Sequence, residues 1–100
     1  MKIGRSIRII LEATKLTRGQ SAQRLGISKS YLSCLEHNKV TGGRQILEKI
    51  EKVFGVAPIF VIAASDLRFK EKFPRTYYNI KVLIEVIAAT RMIIERASAA

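Results

Sequence analysis

Apolar residues recur at helical spacing almost from the start of this chain. Ile3, Ile7, Ile10 and Leu11 fall at i, i+4, i+7 and i+8, which is one face of a helix over about residues 3–14. Ile46, Leu47, Ile50, Val53 and Phe54 repeat the pattern and predict a helix over about 44–54, with Gly55 placed as its C′ residue. Ala57-Pro58 marks a boundary, and Pro58 suits the first turn of a short, very apolar helix over about 58–65 that reads as buried core. Residues 66–78 mix charges, aromatics and Pro74, and predict a loop with a helical turn. From Tyr78 to about Ala97 the helical pattern returns in a broader form. Ile80, Val82, Leu83, Ile84, Val86, Ile87, Ile93 and Ile94 sweep an arc of about 200° on a helical wheel, where a surface helix needs only about 100°. Lys81, Glu85, Glu95 and Arg96 occupy the narrower polar arc. A stripe of that width implies burial on two sides.

Between the first and fourth of these helices lies Thr17 to Asn38, TRGQSAQRLGISKSYLSCLEHN. It reads as a helix over about 18–25, a tight turn at Gly26 and a second helix over about 29–37. Thr17 and Ser28 are N-cap residues for the two helices. Ala22 lets the helices approach, and Leu25, Ile27, Leu32 and Leu35 are spaced to fill the wedge between them. Two short helices joined by a glycine turn form the helix-turn-helix, a motif that can place its second helix in a DNA major groove. Docked by its N-terminus, that helix would turn Lys29 and Ser30 toward base edges. Lys29 can donate to guanine, and Ser30 can pair with several bases. Ser33 and Cys34 share the same side one turn later, and Tyr31 is placed for a phosphate or a thymine methyl.

Charge points to the same class of partner. Eighteen Lys and Arg against eight Asp and Glu give a formal net charge of +10, which favours a polyanion. Residues 1–55 carry eleven basic and four acidic side chains, a net of +7, and residues 56–100 carry seven and four, a net of +3. The excess therefore lies mostly in the half that holds the motif. Hydrophobic residues make up 48% of the chain, enough for a folded core. The lone cysteine, Cys34, excludes an intrachain disulfide and a cysteine-based metal site, and fits a reducing cytoplasm. With one histidine, His37, no conventional metal site is expected. No signal peptide and no transmembrane run are read, so no membrane is expected. No nucleophile–base pair, phosphate loop or carboxylate pair appears. The chain reads as having no enzymatic activity and no cofactor, with Glu36 a structural partner for a basic side chain.

Over residues 3–64 the chain resembles the Cro and phage-repressor type of helix-turn-helix regulators, the XRE family. The resemblance is carried by Leu16-Thr17, Ala22, Leu25-Gly26-Ile27-Ser28, Ser30-Tyr31-Leu32, Leu35-Glu36, Lys39, Ile50 and Gly55-Val56. It implies a bundle of five short helices, with the third as recognition helix and Lys29, Ser30, Ser33 and Cys34 used as above. It also implies backbone contacts from Arg18, where the family usually has Gln, and from Asn38, Lys39 and Arg44. Three departures stand out. Gly19 lies inside the second helix, Ser21 occupies a place where the family buries a leucine, and Gly42-Gly43 replaces the usual Pro-Ser entry to the fourth helix.

The expected architecture is thus all-α: a five-helix repressor-like bundle over 1–65 and a C-terminal extension over 66–100 with a dimerisation helix at about 78–97. Ile80, Leu83, Ile84, Val86, Ile87 and Ile94 are the expected dimer contacts. The expected function is that of a cytoplasmic, sequence-specific regulator, a repressor acting as a homodimer on a palindromic site in double-stranded DNA. The alternative is an antitoxin-like protein whose C-terminal segment covers a protein partner and whose helix-turn-helix serves autoregulation.

Overall fold

Every segment with helical periodicity folds as a helix, and one further short helix forms in 66–78, where a loop with a helical turn was expected. The computed structural model describes residues 1–99. Its elements are α1 (Gly4–Thr14), α2 (Arg18–Leu25), α3 (Lys29–Glu36), α4 (Arg44–Phe54), α5 (Pro58–Ser65), α6 (Leu67–Lys72) and α7 (Pro74–Ala99). No strand occurs among the described residues, and the protein is all-α. The expected extension was drawn to residue 100, and Ala100 lies outside the described residues.

Local chemistry accounts for the boundaries. The Thr17 side chain accepts from the Gln20 N–H at 3.1 Å while the Gln20 side chain accepts from the Thr17 N–H at 3.0 Å, a reciprocal capping box at the start of α2. Ser28 Oγ accepts from the Tyr31 N–H at 3.0 Å and caps α3. Gly26 ends α2 in the left-handed region, φ 69°, which a residue with a Cβ enters only at a cost. Lys15 ends α1 with φ 62°, a left-handed position filled without glycine.

The segment 66–78 differs from expectation because two residues act as helix starts. Asp66 accepts from the Arg68 and Phe69 N–H groups at 2.9 and 3.2 Å, which caps α6. Pro74 opens α7 four residues before Tyr78, since its fixed φ suits a first turn. Phe73, with φ −132°, is the hinge between the two helices.

The core is one cluster. Ile3, Ile7, Ile10, Ala22, Leu25, Leu32, Leu35, Ile46, Ile50, Phe54, Val56 and Val61 are buried together with Ile84, Ala88 and Met92 of α7. Helix α7 packs along α1 and also touches α4, α5 and α6. It therefore forms a wall of the bundle. At 26 residues it spans about 39 Å, close to the 44 Å long axis of the molecule. Its attachment is polar as well as apolar. Arg24 of α2 pairs with Glu95, and Tyr77 Oη donates to the Ala64 carbonyl at 3.2 Å.

This packing corrects the expected dimer surface. Ile84 has no accessible surface and belongs to the protomer's own core, and Ile80 and Ile87 are half-buried against that core. The apolar residues left facing outward are Val82, Leu83, Val86, Ile93 and Ile94. The broad stripe read from the sequence thus divides into an inner face and an outer face.

Candidate nucleic-acid interface

Helices α2 and α3 meet across the Gly26 turn, and Ala22, Leu25, Leu32 and Leu35 are buried between them and the rest of the bundle. Burying one side of α3 turns the opposite side outward. That outer side is a shallow open groove lined by Lys29, Ser30, Ser33, Cys34 and His37 of α3 and its C-cap, with Arg18 from the first residue of α2. The four residues expected to read bases are thereby brought together. Lys29 and Ser30 are exposed at the helix start, and Ser33 and Cys34 are half-exposed one turn on. His37 Nδ1 lies 2.8 Å from the Ser33 carbonyl, which holds the ring along the same edge.

The remaining expected contacts are more scattered. Tyr31 is exposed but does not line the groove. Lys39 is exposed beyond the end of α3. Arg44, 91% exposed, forms an i,i+4 pair with Glu48 at 3.1 Å. Asn38 has a structural task, because its Oδ1 accepts from the Gly4 N–H at 3.0 Å and so satisfies the start of α1 from 34 residues away. Its left-handed backbone, φ 58°, is one that asparagine tolerates. A Cβ at Gly4 would lie 2.2 Å from the Glu36 carbonyl oxygen, so only glycine allows α1 to start this close to the end of α3.

Arg18 is engaged within the fold. Its Nε donates to Glu36 Oε2 at 2.5 Å and its Nη2 to Glu36 Oε1 at 2.8 Å, a bidentate pair that joins the start of α2 to the end of α3. Arg8 of α1 stands 3.9 Å from the same carboxylate. The Glu36 side chain is only 6% exposed, whereas that of Arg18 is 47% exposed. The hydrogen bonds from Arg18 hold the Glu36 carboxyl below the usual carboxylate range against the opposing effect of burial. A role for Glu36 as a basic residue's partner was legible from the sequence, but which residue it pairs with was not. The two lie 18 positions apart, and only the α2–α3 crossing brings them together.

No group of three His, Cys, Asp or Glu side chains placed to hold a metal ion occurs among the described residues. No helix among them is long and apolar enough to cross a membrane. A comparison of the chain with protein-family models, with curated proteins and with solved structures finds no match.

Proposed function

We propose that this protein is a sequence-specific DNA-binding transcriptional regulator that sets α3 in the major groove and acts as a homodimer in the cytoplasm, most simply as a repressor that occludes a promoter. The observation that carries the reading is the outward side of α3. A helix about the width a major groove admits presents Lys29, Ser30, Ser33 and Cys34 along one open face, on a chain of net charge +10. Lys39, after the end of α3, and Arg44, at the start of α4, are exposed candidates for phosphate contact. The outer apolar row of α7, from Val82 to Ile94, supports pairing with a second copy. Half-sites would then lie about 34–36 Å apart, one turn of the duplex. With roughly six phosphate contacts per dimer, log K should fall against log salt with a slope near −5.

Selection of bound duplexes from a random pool tests this directly. The expected product is an inverted repeat at one-turn spacing. Lys29→Ala with Ser30→Ala should degrade the selected motif, and Lys49→Ala, exposed on α4, should leave it intact. An unchanged motif in the α3 double variant would remove those residues from the reading face, and no enriched motif at all would end the proposal.

The same row on α7 favours a second reading, in which it covers a protein partner as an antitoxin does and the helix-turn-helix serves autoregulation. Sedimentation separates the two. A stable homodimer of the purified chain supports the first, and a monomer that forms a defined complex with one partner supports the second.

A further inference from the structure

We infer that Glu36 is a specificity-determining residue: it withholds the Arg18 guanidinium from the phosphate backbone, and so limits how tightly the protein holds DNA of any sequence. This rests on the DNA-binding reading above.

Both arginines expected to contact the DNA backbone have carboxylate partners, and the two pairs differ in kind. Arg44 and Glu48 are both largely in solvent, 91% and 62% exposed, and a single contact at 3.1 Å joins them. A phosphate can displace such a carboxylate at little cost. Arg18 and Glu36 share two parallel charge-assisted bonds, and the carboxylate lies almost wholly inside the protein. For Arg18 to turn toward a phosphate it must break both bonds and leave a buried carboxylate with only Arg8, at 3.9 Å, nearby. The guanidinium lines the groove beside Lys29, Ser30 and Ser33, so it stands where a backbone contact would form yet is occupied from behind.

The consequence follows from how the two kinds of contact act. Phosphate contacts strengthen binding to every sequence alike, and base contacts discriminate. A chain this basic already carries a strong uniform attraction. Neutralising the one arginine in the groove lowers that uniform part and leaves Lys29 and Ser30 to decide the site. Glu36→Gln keeps the shape of the side chain and removes the charge that holds Arg18, which opens the fork to a phosphate.

The test measures affinity for a random-sequence duplex across a salt series, with the full chain, Glu36→Gln, and the double variant Glu36→Gln/Arg18→Gln. Glu36→Gln should show a log K against log salt slope steeper by about 1.8, one added phosphate contact from each protomer of the proposed homodimer. That amounts to a roughly 12-fold greater loss of affinity between about 50 and 200 mM salt. The double variant exchanges one neutral pair for another and should return to the parent slope. A parent-like slope in Glu36→Gln overturns the inference. So does a double variant shallower than the parent, because Arg18 would then be touching phosphate with Glu36 in place. Should Glu36→Gln alone fail to fold by circular dichroism, the double variant against the parent still tests whether Arg18 touches phosphate with Glu36 in place, and a slope shallower than the parent's overturns the inference. Salt-insensitive or absent binding by the parent chain would instead remove the DNA-binding reading itself, a different failure from the others.

Discussion

Arg91 of α7 donates from Nη1 to the Lys52 carbonyl at 2.9 Å, and so satisfies an orphan carbonyl in the last turn of α4. The cation also sits at the negative end of that helix. Together with Ile84, Ala88 and Met92 in the core, this bond makes α7 part of what holds the bundle together.

The division of α7 into two faces can be tested by substitution on each. Ile84→Ala should destabilise the protomer by about 2–5 kcal/mol, because it opens a cavity in a packed core. Val86→Lys with Ile93→Lys on the outer face should change protomer stability by less than about 0.5 kcal/mol while abolishing the proposed pairing of two copies. Urea unfolding and sedimentation equilibrium, run on both proteins, give the two readouts. An Ile84→Ala protein of parent stability would place the core elsewhere.

Ser21 is buried, and its hydroxyl has no hydrogen-bond partner. It borders a small apolar cavity lined by Ile7, Ile10, Leu11, Leu25, Leu32, Ile50 and Phe54. Ser21→Ala removes an unsatisfied polar group and should stabilise the protein by about 1 kcal/mol, read as a higher urea midpoint at unchanged slope. A lower midpoint would mean that the hydroxyl is satisfied in solution.

Lys15 terminates α1 with φ 62° and is exposed. Lys15→Gly relieves the left-handed strain of a residue with a Cβ, offset in part by added freedom in the unfolded chain. The expected net gain is about 0.5–1 kcal/mol. Thermal unfolding checks the sign, and a loss of stability would show that the lysine side chain makes a contribution larger than the strain.

Glu36 couples stability to acid. Hydrogen bonds from Arg18 depress its folded pKa, so the unfolded chain takes up this proton first as pH falls. Its contribution is therefore complete above the ordinary glutamate value, about pH 4.3, and is lost progressively as pH drops through the lower folded value. The stability advantage of the parent over Glu36→Gln should be constant near neutral pH and shrink as pH falls below the ordinary glutamate value. A difference that stays level across that acid range would separate Glu36 from the effect.

The helices and their caps were readable residue by residue because they depend on near neighbours. Thr17 with Gln20, Ser28 with Tyr31, Gly26 and Gly55 each act within four positions, and the structure places each where the spacing does. The segment 66–78 was harder to read because Asp66 and Pro74 start helices too short, or too charged at the outset, to show an apolar period.

What the sequence determined by itself was the all-α class, the five leading helices within a residue at each end, and the side of α3 that faces outward. All of these follow from periodicity, propensity and short-range capping. What only the tertiary structure decided was which residues far apart in the chain meet. It took Ile84 out of a surface row and set it in the core, gave Asn38 to the start of α1, and closed the Arg18 fork on Glu36. The physical reason is common to the three. An apolar arc or a charge marks a side chain that needs a partner, but the partner is chosen by how helices cross, and nothing local in the chain records that crossing.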